Sequence, residues 1–140
     1  MEIRSYLANP RLKREGQALS IQQDQLEEYI RCANNPVYFI EHYMKVVTLD
    51  KGLVQIKLYD YQKEIVDSCH NERKVAMKMT RQSGKTTTTV GYILWYILFN
   101  EMKTVALLAN KERTAREILS RIKLAYENLP LWIQQGVVEW

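Results

Sequence analysis

A short apolar run, a glycine-containing loop and an amphipathic helix follow one another directly in residues 75–98. Residues 75–79, Val-Ala-Met-Lys-Met, predict a buried strand, and residues 80–86, Thr-Arg-Gln-Ser-Gly-Lys-Thr, predict a loop. A helix is then predicted from apolar residues at helical spacing: Val90, Ile93, Leu94, Ile97 and Leu98. The order strand, loop, helix favours an α/β arrangement for this part of the chain.

A second unit of the same kind follows. Residues 104–109 are apolar and predict another buried strand. The helix after it ends near Pro130 and turns these residues inward: Ala115, Ile118, Leu119, Ile122 and Ala125. Two strand–helix units in succession predict an α/β fold with a parallel sheet flanked by helices, with a further strand beginning at residues 136–140.

The first third of the chain predicts a smaller subdomain. Residues 1–19 alternate charged and isolated apolar residues, so we expect an arm. Ser20 and Gln23 have the form of a capping box for a helix that ends at Asn34-Asn35-Pro36, with Leu26, Tyr29, Ile30 and Ala33 on its apolar face. Two apolar runs flank Asp50-Lys51-Gly52 and predict a hairpin.

We therefore divide the chain into residues 1–57, an arm, helix and hairpin subdomain, and residues 58–140, the first half of an α/β core. Asp60 can cap a helix whose apolar stripe is formed by Ile65, Val66 and Cys69. The charged residues 71–74 end this helix before the core begins.

Charge, cysteine content and the length of the apolar stretches limit the partners, the metal sites and the compartment that we expect. The formal net charge is +4, from 20 Lys and Arg against 16 Asp and Glu, a mixed surface that permits a DNA partner without requiring one. Cys32 and Cys69 have no second Cys or His at metal-ligand spacing, so no zinc site or disulfide framework is expected. The longest apolar stretch, residues 92–99, is too short to span a bilayer. These features favour a soluble protein of a reducing, cytosolic compartment.

Gly84-Lys85-Thr86 has the chemistry of the end of a P-loop. The glycine lets backbone N–H groups approach phosphate oxygens, the lysine meets the β- and γ-phosphate charges, and the threonine hydroxyl can bind magnesium. The N-terminus of the following helix adds free N–H donors. The full P-loop pattern also has a glycine at position 79, where this chain has Met79.

The segment from Met79 to Thr86, with Arg and Gln before the glycine, resembles the variant P-loop of the large terminase subunits of tailed phages, in which the first glycine is commonly absent. Three further segments are similar to that family in the same order: residues 35–40 (Asn-Pro-Val-Tyr-Phe-Ile), 58–62 (Leu-Tyr-Asp-Tyr-Gln) and 106–111 (Ala-Leu-Leu-Ala-Asn-Lys). The resemblance covers about residues 34–140 and implies a P-loop NTPase-type core.

The resemblance implies ATP and Mg²⁺ as cofactors. Arg81 and Lys85 correspond to the catalytic cations, because a guanidinium inside the loop can stabilise charge that develops on the γ-phosphate. Gln62 matches a glutamine that recognises adenine, and Thr86 matches the magnesium ligand. The nucleotide-binding set is Gln62, Arg81, Gln82, Ser83, Gly84, Lys85, Thr86 and Thr87. Tyr59 or Tyr61 could stack on the adenine, although packing is an equally open role for each.

The resemblance also implies partners and a place of action. The family translocates double-stranded DNA into a prohead, with a portal ring and a small terminase subunit as partners, in the host cytoplasm. Asn110, Lys111 and Arg113 lie where related translocases contact the DNA backbone, and Arg116, Arg121 and Lys123 continue along the next helix. A solvated helix face remains the alternative for these residues.

The sequence contains no apolar strand ending in paired carboxylates after Ala109. The carboxylates there are Glu112, Glu117, Glu127 and Glu139, and none has the setting of a Walker B residue. We therefore expect part of an ATPase that is inactive alone, with Trp95, Trp132 and Trp140 lacking cover and favouring a homo-oligomer. Two alternatives stay open: a non-catalytic interaction module that binds a motor or portal, and part of a helicase-superfamily DNA translocase.

Overall fold

The computed structural model describes residues 5–140, which form a mixed α/β structure with five helices and two small antiparallel sheets. The strands are β1 (Ser5–Tyr6), β2 (Asn9–Lys13), β3 (Lys45–Thr48) and β4 (Gly52–Gln55). The helices are α1 (Gln23–Asn34), α2 (Pro36–Tyr43), α3 (Asp60–Asn71), α4 (Lys85–Phe99) and α5 (Glu112–Glu127). Residues 1–4, the start of the predicted arm, lie outside the described residues.

The hairpin predicted around Asp50-Lys51-Gly52 is confirmed. Strands β3 and β4 pair antiparallel, with Val46 opposite Val54 and Thr48 opposite Gly52. Gly52 has a φ of +67°, a left-handed conformation that glycine adopts without steric penalty. The Thr48 hydroxyl accepts a hydrogen bond from the Lys51 N–H at 3.2 Å and thereby closes the turn.

Residues 5–14 of the predicted arm pack against distant residues of the chain. Strands β1 and β2 pair with each other, and Leu12 is only 2% exposed. The Lys13 carbonyl accepts a hydrogen bond from the Val137 N–H at 2.9 Å, and the Glu15 N–H donates to the Val137 carbonyl at 3.1 Å. The arm packs because residues far along the chain supply partners that its own sequence lacks.

Helices α1 and α2 meet at Asn35, which ends α1 and caps α2. The Asn35 side-chain oxygen accepts a hydrogen bond from the Tyr38 N–H at 3.0 Å, and Pro36 occupies the first turn of α2, where its missing N–H needs no partner. Helix α1 begins later than predicted: the Gln22 N–H is capped by the side-chain oxygen of Gln25 at 3.1 Å, so Ser20 is not the cap.

The face that α1 buries also differs from the predicted one. Cys32 is fully buried, whereas Leu26 and Ile30, two of the four residues predicted to face the core, are exposed. Glu28 lies on the inner side, where its carboxylate accepts hydrogen bonds from the hydroxyls of Tyr38 and Tyr43 on α2. Packing against α2 has therefore set the rotation of this helix.

Helix α4 forms the centre of the hydrophobic core. Val90, Leu94 and Leu98 are buried as predicted, and α2, α3 and α5 all pack against this helix. Trp95 is 5% exposed, and its indole N–H donates to the Cys32 carbonyl at 2.8 Å, so the expectation that it lacks cover is wrong. The same core cluster contains residues from both predicted parts of the chain, such as Phe39 and Leu94.

The predicted strands at residues 75–79 and 104–109 do not form a parallel sheet among the described residues. Both segments lack strand pairing, and they make no backbone–backbone hydrogen bond within residues 5–140. A strand needs a neighbour to satisfy its backbone groups, and the described residues place none beside either segment. The parallel pairing that does occur there is an isolated bridge between Arg14 and Val137, where the further strand was predicted.

The predicted helices α3, α4 and α5 are present, but three details of the predictions are wrong. Tyr59 and not Asp60 is the N-cap of α3, and Ile97 of α4 and Leu119 of α5 are exposed, because each lies at the edge of its apolar face. Helix α3 begins at Asp60 and buries Val66, and α5 ends at Glu127, three residues before Pro130. Across residues 5–140, none of the helices combines the length and the apolar character that crossing a bilayer requires.

Candidate phosphate-binding site

Side chains of helix α3 hydrogen-bond to the loop between residues 79 and 85. The Tyr61 hydroxyl donates to the Ser83 carbonyl at 2.6 Å, and the Gln62 side-chain nitrogen donates to the Thr88 hydroxyl at 3.0 Å and to the Gly84 carbonyl at 3.4 Å. The Gln62 side-chain oxygen accepts from the Tyr59 N–H at 2.9 Å and caps its own helix. One side chain thus joins the start of α3 to the start of α4.

Two left-handed residues shape the loop. Gln82 has a φ of +58° and Gly84 a φ of +76°, with Ser83 between them. A left-handed residue beside right-handed ones turns successive N–H groups toward the same side, which is the concave arrangement that binds anions. The Ser83 hydroxyl donates to the Thr80 carbonyl at 2.8 Å and closes the turn. A left-handed glutamine is strained by about 1–3 kcal/mol, and such strain is concentrated at functional sites.

Gly84 is required by space as well as by φ. A Cβ at this position would lie 2.6 Å from the Gln62 side-chain nitrogen, closer than Cβ contacts occur. The Gln62 carboxamide can therefore reach the loop only because residue 84 has no side chain.

The loop and the first turn of α4 line an open cavity of about 440 Å³. Its lining residues are Arg81, Gln82, Ser83, Gly84, Lys85, Thr86, Thr87 and Arg121. Three of these side chains are cationic and none is a carboxylate. All of the residues predicted for phosphate binding line this one cavity, and the N-terminal N–H groups of the 15-residue helix α4 lie at it.

Within residues 5–140, the Lys85 ammonium makes one hydrogen bond, to the Met79 carbonyl at 3.3 Å. Arg81 is exposed and makes no hydrogen bond or ion pair with other residues in 5–140. Both cations can therefore turn to an anion in the cavity without breaking an ion pair. This agrees with their predicted roles as phosphate-contacting groups.

The four consecutive threonines divide into two pairs. The Thr88 hydroxyl donates to the Gly84 carbonyl and the Thr89 hydroxyl to the Lys85 carbonyl, each at 2.8 Å, so both support the helix itself. Thr86 and Thr87 line the cavity, and within residues 5–140 their hydroxyls make no hydrogen bond. Thr86 thus fits the predicted magnesium ligand, because its oxygen is uncommitted beside the phosphate cradle.

The geometry of Gln62 bears on its predicted role in adenine recognition. The side chain is 4% exposed, and both hydrogens of its amide nitrogen are directed to α4. Adenine recognition by Gln62 would require these bonds to be exchanged, and it stays a prediction. Tyr59 and Tyr61 are exposed beside the loop, with their rings stacked at a centroid distance of 5.9 Å, and present an aromatic surface there.

The cations of α5 proposed to contact DNA differ in their partners. Arg113 pairs with Glu117 at 3.0 Å and Arg116 pairs with Glu112 at 2.5 Å, both on the exposed helix face. The Lys123 ammonium lies over the Trp140 ring, 5.2 Å from its centroid. Among these side chains, Arg121 lines the cavity at the start of α4, a position that was not predicted for it.

The local pattern around Arg121 gave no signal for that position. Arg121 and the loop are separated by more than 30 residues, and only the packing of α5 on α4 brings them together. Likewise, the residues that hold the loop from α3, Tyr61 and Gln62, became recognisable as loop supports only from the contacts. The chain matches no protein-family model.

Proposed function

We propose that this chain binds a nucleoside triphosphate at residues 80–87 and is the nucleotide-binding part of an ATP-driven motor for double-stranded DNA, similar to the large terminase subunit of tailed phages. The observation that carries the proposal is the cavity at the start of α4, lined by three cations and by a loop with two left-handed residues. A polyanion at a helix N-terminus meets free N–H donors and a favourable dipole.

Each lining residue has a role in this proposal. Gly84 and its neighbours offer backbone N–H groups to the phosphates, and Lys85 exchanges the Met79 carbonyl for the β- and γ-phosphate oxygens. Thr86 holds Mg²⁺, which neutralises phosphate charge when bound. Arg81 offers its guanidinium to charge that develops on the γ-phosphate. Within residues 5–140, no carboxylate lines the cavity. These residues therefore bind the nucleotide, whereas hydrolysis takes place in the assembled motor.

We also propose that the assembled motor contains the parallel sheet of a P-loop NTPase. Residues 75–79 and 104–109 belong to no helix or strand within residues 5–140, and each leads through a short loop into the next helix, α4 or α5. Strands that neighbour each other in sequence need not be neighbours in a sheet. We expect both segments to become strands when other strands pair with them. The portal ring, the small terminase subunit and DNA are the partners proposed for the whole motor.

The first test is magnesium-dependent ATP binding by isothermal titration calorimetry. Lys85→Ala should weaken binding by about tenfold or more, since it removes a charged contact to two phosphates. Lys103→Ala is the matched control, because Lys103 is an exposed lysine outside the cavity. Equal ATP affinity of the wild type and Lys85→Ala, with both proteins folded, would overturn the proposal.

A second candidate function is an interaction module that accepts strands from another polypeptide. Residues 75–79 and 104–109 favour it: they expose Val75, Met77 and Leu108, and they make no backbone–backbone hydrogen bond within residues 5–140. Unpaired extended segments are templates for strand addition. This function predicts that a proline at position 77 abolishes partner binding, whereas Lys85→Ala leaves partner binding unchanged.

A further inference from the structure

We propose that Arg121 of α5 is a second arginine of the candidate phosphate cavity, which contacts the terminal phosphate of the bound nucleotide. The inference rests on the proposed function and adds a residue from a different helix to that site. Arg121 lines the cavity together with Lys85, Thr86 and Thr87. It also lines a neighbouring cavity of about 220 Å³ that shares Thr87, so it lies at the boundary between the two spaces.

The packing of α5 fixes where Arg121 stands. The next residue, Ile122, is buried, and Ala125 one turn later is 1% exposed, so this face of α5 packs on the core beside α4. Arg121 consequently emerges at the edge of the α4–α5 contact, next to the first turn of α4. A long guanidinium side chain at this edge can reach an anion held by the loop.

The state of its neighbours leaves the Arg121 charge available. Glu117, one turn before Arg121, is engaged by Arg113 at 3.0 Å, and Glu112 is engaged by Arg116. Arg121 makes no hydrogen bond or ion pair with the residues described, 5–140. It also lines a surface groove of α5 that contains Glu112 and Glu117, but no carboxylate lines the cavity that it shares with Lys85. Three cationic side chains line this cavity and none of its lining residues is a carboxylate, so an anion bound there meets a positive potential.

The consequence is a link between nucleotide state and the position of α5. A triphosphate would be held by the loop at the start of α4 and by Arg121 on α5, whereas a shorter nucleotide would lack the terminal group that Arg121 contacts. Loss of that phosphate would remove the contact between the nucleotide and α5, while the apolar packing of α5 on α4 would stay. The fold thereby gains a contact that depends on the terminal phosphate.

The experiment compares the affinities of ATP, ADP and AMP with magnesium for the wild type, Arg121→Gln and Arg121→Lys. Arg116→Gln is the matched control, because Arg116 is an exposed arginine of the same helix whose ion pair lies outside the cavity. Arg121→Gln should weaken ATP binding by about tenfold and ADP binding by much less, since one charge-assisted contact to the terminal phosphate is removed. Arg121→Lys should restore part of the ATP affinity, and Arg116→Gln should bind as the wild type.

The outcomes separate this inference from the proposed function. If Lys85→Ala weakens ATP binding while Arg121→Gln binds ATP and ADP as the wild type, Arg121 is outside the site and only this inference fails. If ATP and ADP affinities fall equally in Arg121→Gln, the contact to the terminal phosphate is contradicted. If the wild type binds no ATP, both proposals fail together. Unchanged thermal unfolding of Arg121→Gln shows that the effect is on the ligand.

Discussion

The Glu28 carboxylate accepts hydrogen bonds from the Tyr38 hydroxyl at 2.6 Å and the Tyr43 hydroxyl at 2.9 Å, and its other oxygen lies 3.6 Å from the Arg31 guanidinium. The Tyr38 hydrogen bond lowers the pKa of Glu28 most; the Tyr43 hydrogen bond and the charges of Arg31 and His42 lower it further, against the opposing effect of burial. The charged form of this one residue therefore joins α1 to α2.

Glu28→Gln should lower the free energy of unfolding by about 1–3 kcal/mol at pH 7, because the tyrosine hydroxyls lose a charged acceptor. A lowered folded-state pKa gives stability that is present above the unfolded value and is lost as pH falls through the folded one. The difference between wild type and variant should therefore shrink below pH 4.5, the ordinary value of the group. Urea unfolding between pH 3 and pH 7 measures it, with exposed Glu64→Gln as control. A difference that does not change with pH would contradict the charged contact.

Gly84→Ala should destabilise the protein more than Gly52→Ala. Both glycines have a positive φ, so both substitutions carry the left-handed penalty of about 1–2 kcal/mol. At Gly52 nothing lies within 4 Å of the added Cβ, whereas at Gly84 the Gln62 amide nitrogen would lie at 2.6 Å. The excess seen for Gly84→Ala in urea unfolding should largely disappear when Gln62 is also replaced by alanine. Equal losses at both glycines would contradict the Gln62 contact.

At the scale of elements, the strongest periodic segments were predicted correctly and the shortest helix was missed. Helix α4 follows its apolar spacing, so its existence and the burial of Val90, Leu94 and Leu98 could be predicted from sequence, although Ile97 is exposed. Helix α2 has eight residues without a clean period, and its signal was local: Asn35 as cap and Pro36 in the first turn. The inward side of α1 could not be predicted, because Glu28 pairs with tyrosines that only packing brings near.

Gln134 is the residue on which the docking of strand β2 depends. Its buried side-chain nitrogen donates to the Arg11 carbonyl at 2.8 Å and to the Leu129 carbonyl at 3.0 Å, and its oxygen accepts from the Lys13 N–H at 3.1 Å. Gln134→Ala should cost about 1–3 kcal/mol of stability, because buried backbone groups lose their partner. It should also speed hydrogen exchange at the Val137 and Glu15 amides. The control is Gln23→Ala, an exposed glutamine with one long side-chain bond.

At the scale of the whole molecule, the helices form the core, and residues 75–79 and 104–109 lie at its edge or outside it. The buried residues of the core cluster come from all five helices and from the segment after α5, among them Cys32, Phe39, Val66, Leu94 and Ile133. Leu107 packs against the edge of this cluster, but Val75, Met77 and Leu108 are exposed. Cooperative stability is therefore expected from the helical core.

Native-state hydrogen exchange should separate these two parts of the molecule. The amides of residues 75–79 and 105–109 should exchange near the rates of an unstructured peptide, because they make no backbone hydrogen bond within residues 5–140. The amides of α4 from Val90 to Leu98 should be protected close to the level set by global unfolding. Strong protection of residues 75–79 and 105–109 in the isolated protein would show that a sheet forms there.

The sequence by itself determined the local features: the hairpin at Gly52, the helical periods of α3, α4 and α5, and the residue types of the loop at 80–86. These depend on neighbours within a few residues, which the sequence displays directly. Only the tertiary structure decided which side of α1 is buried, that residues 9–13 dock beside Val137, that Gln62 supports the loop, and that Arg121 reaches its cavity. It also decided that residues 75–79 and 104–109, which were predicted as strands, form no strand pairing within residues 5–140. Strand formation depends on a backbone partner that can be far away in sequence.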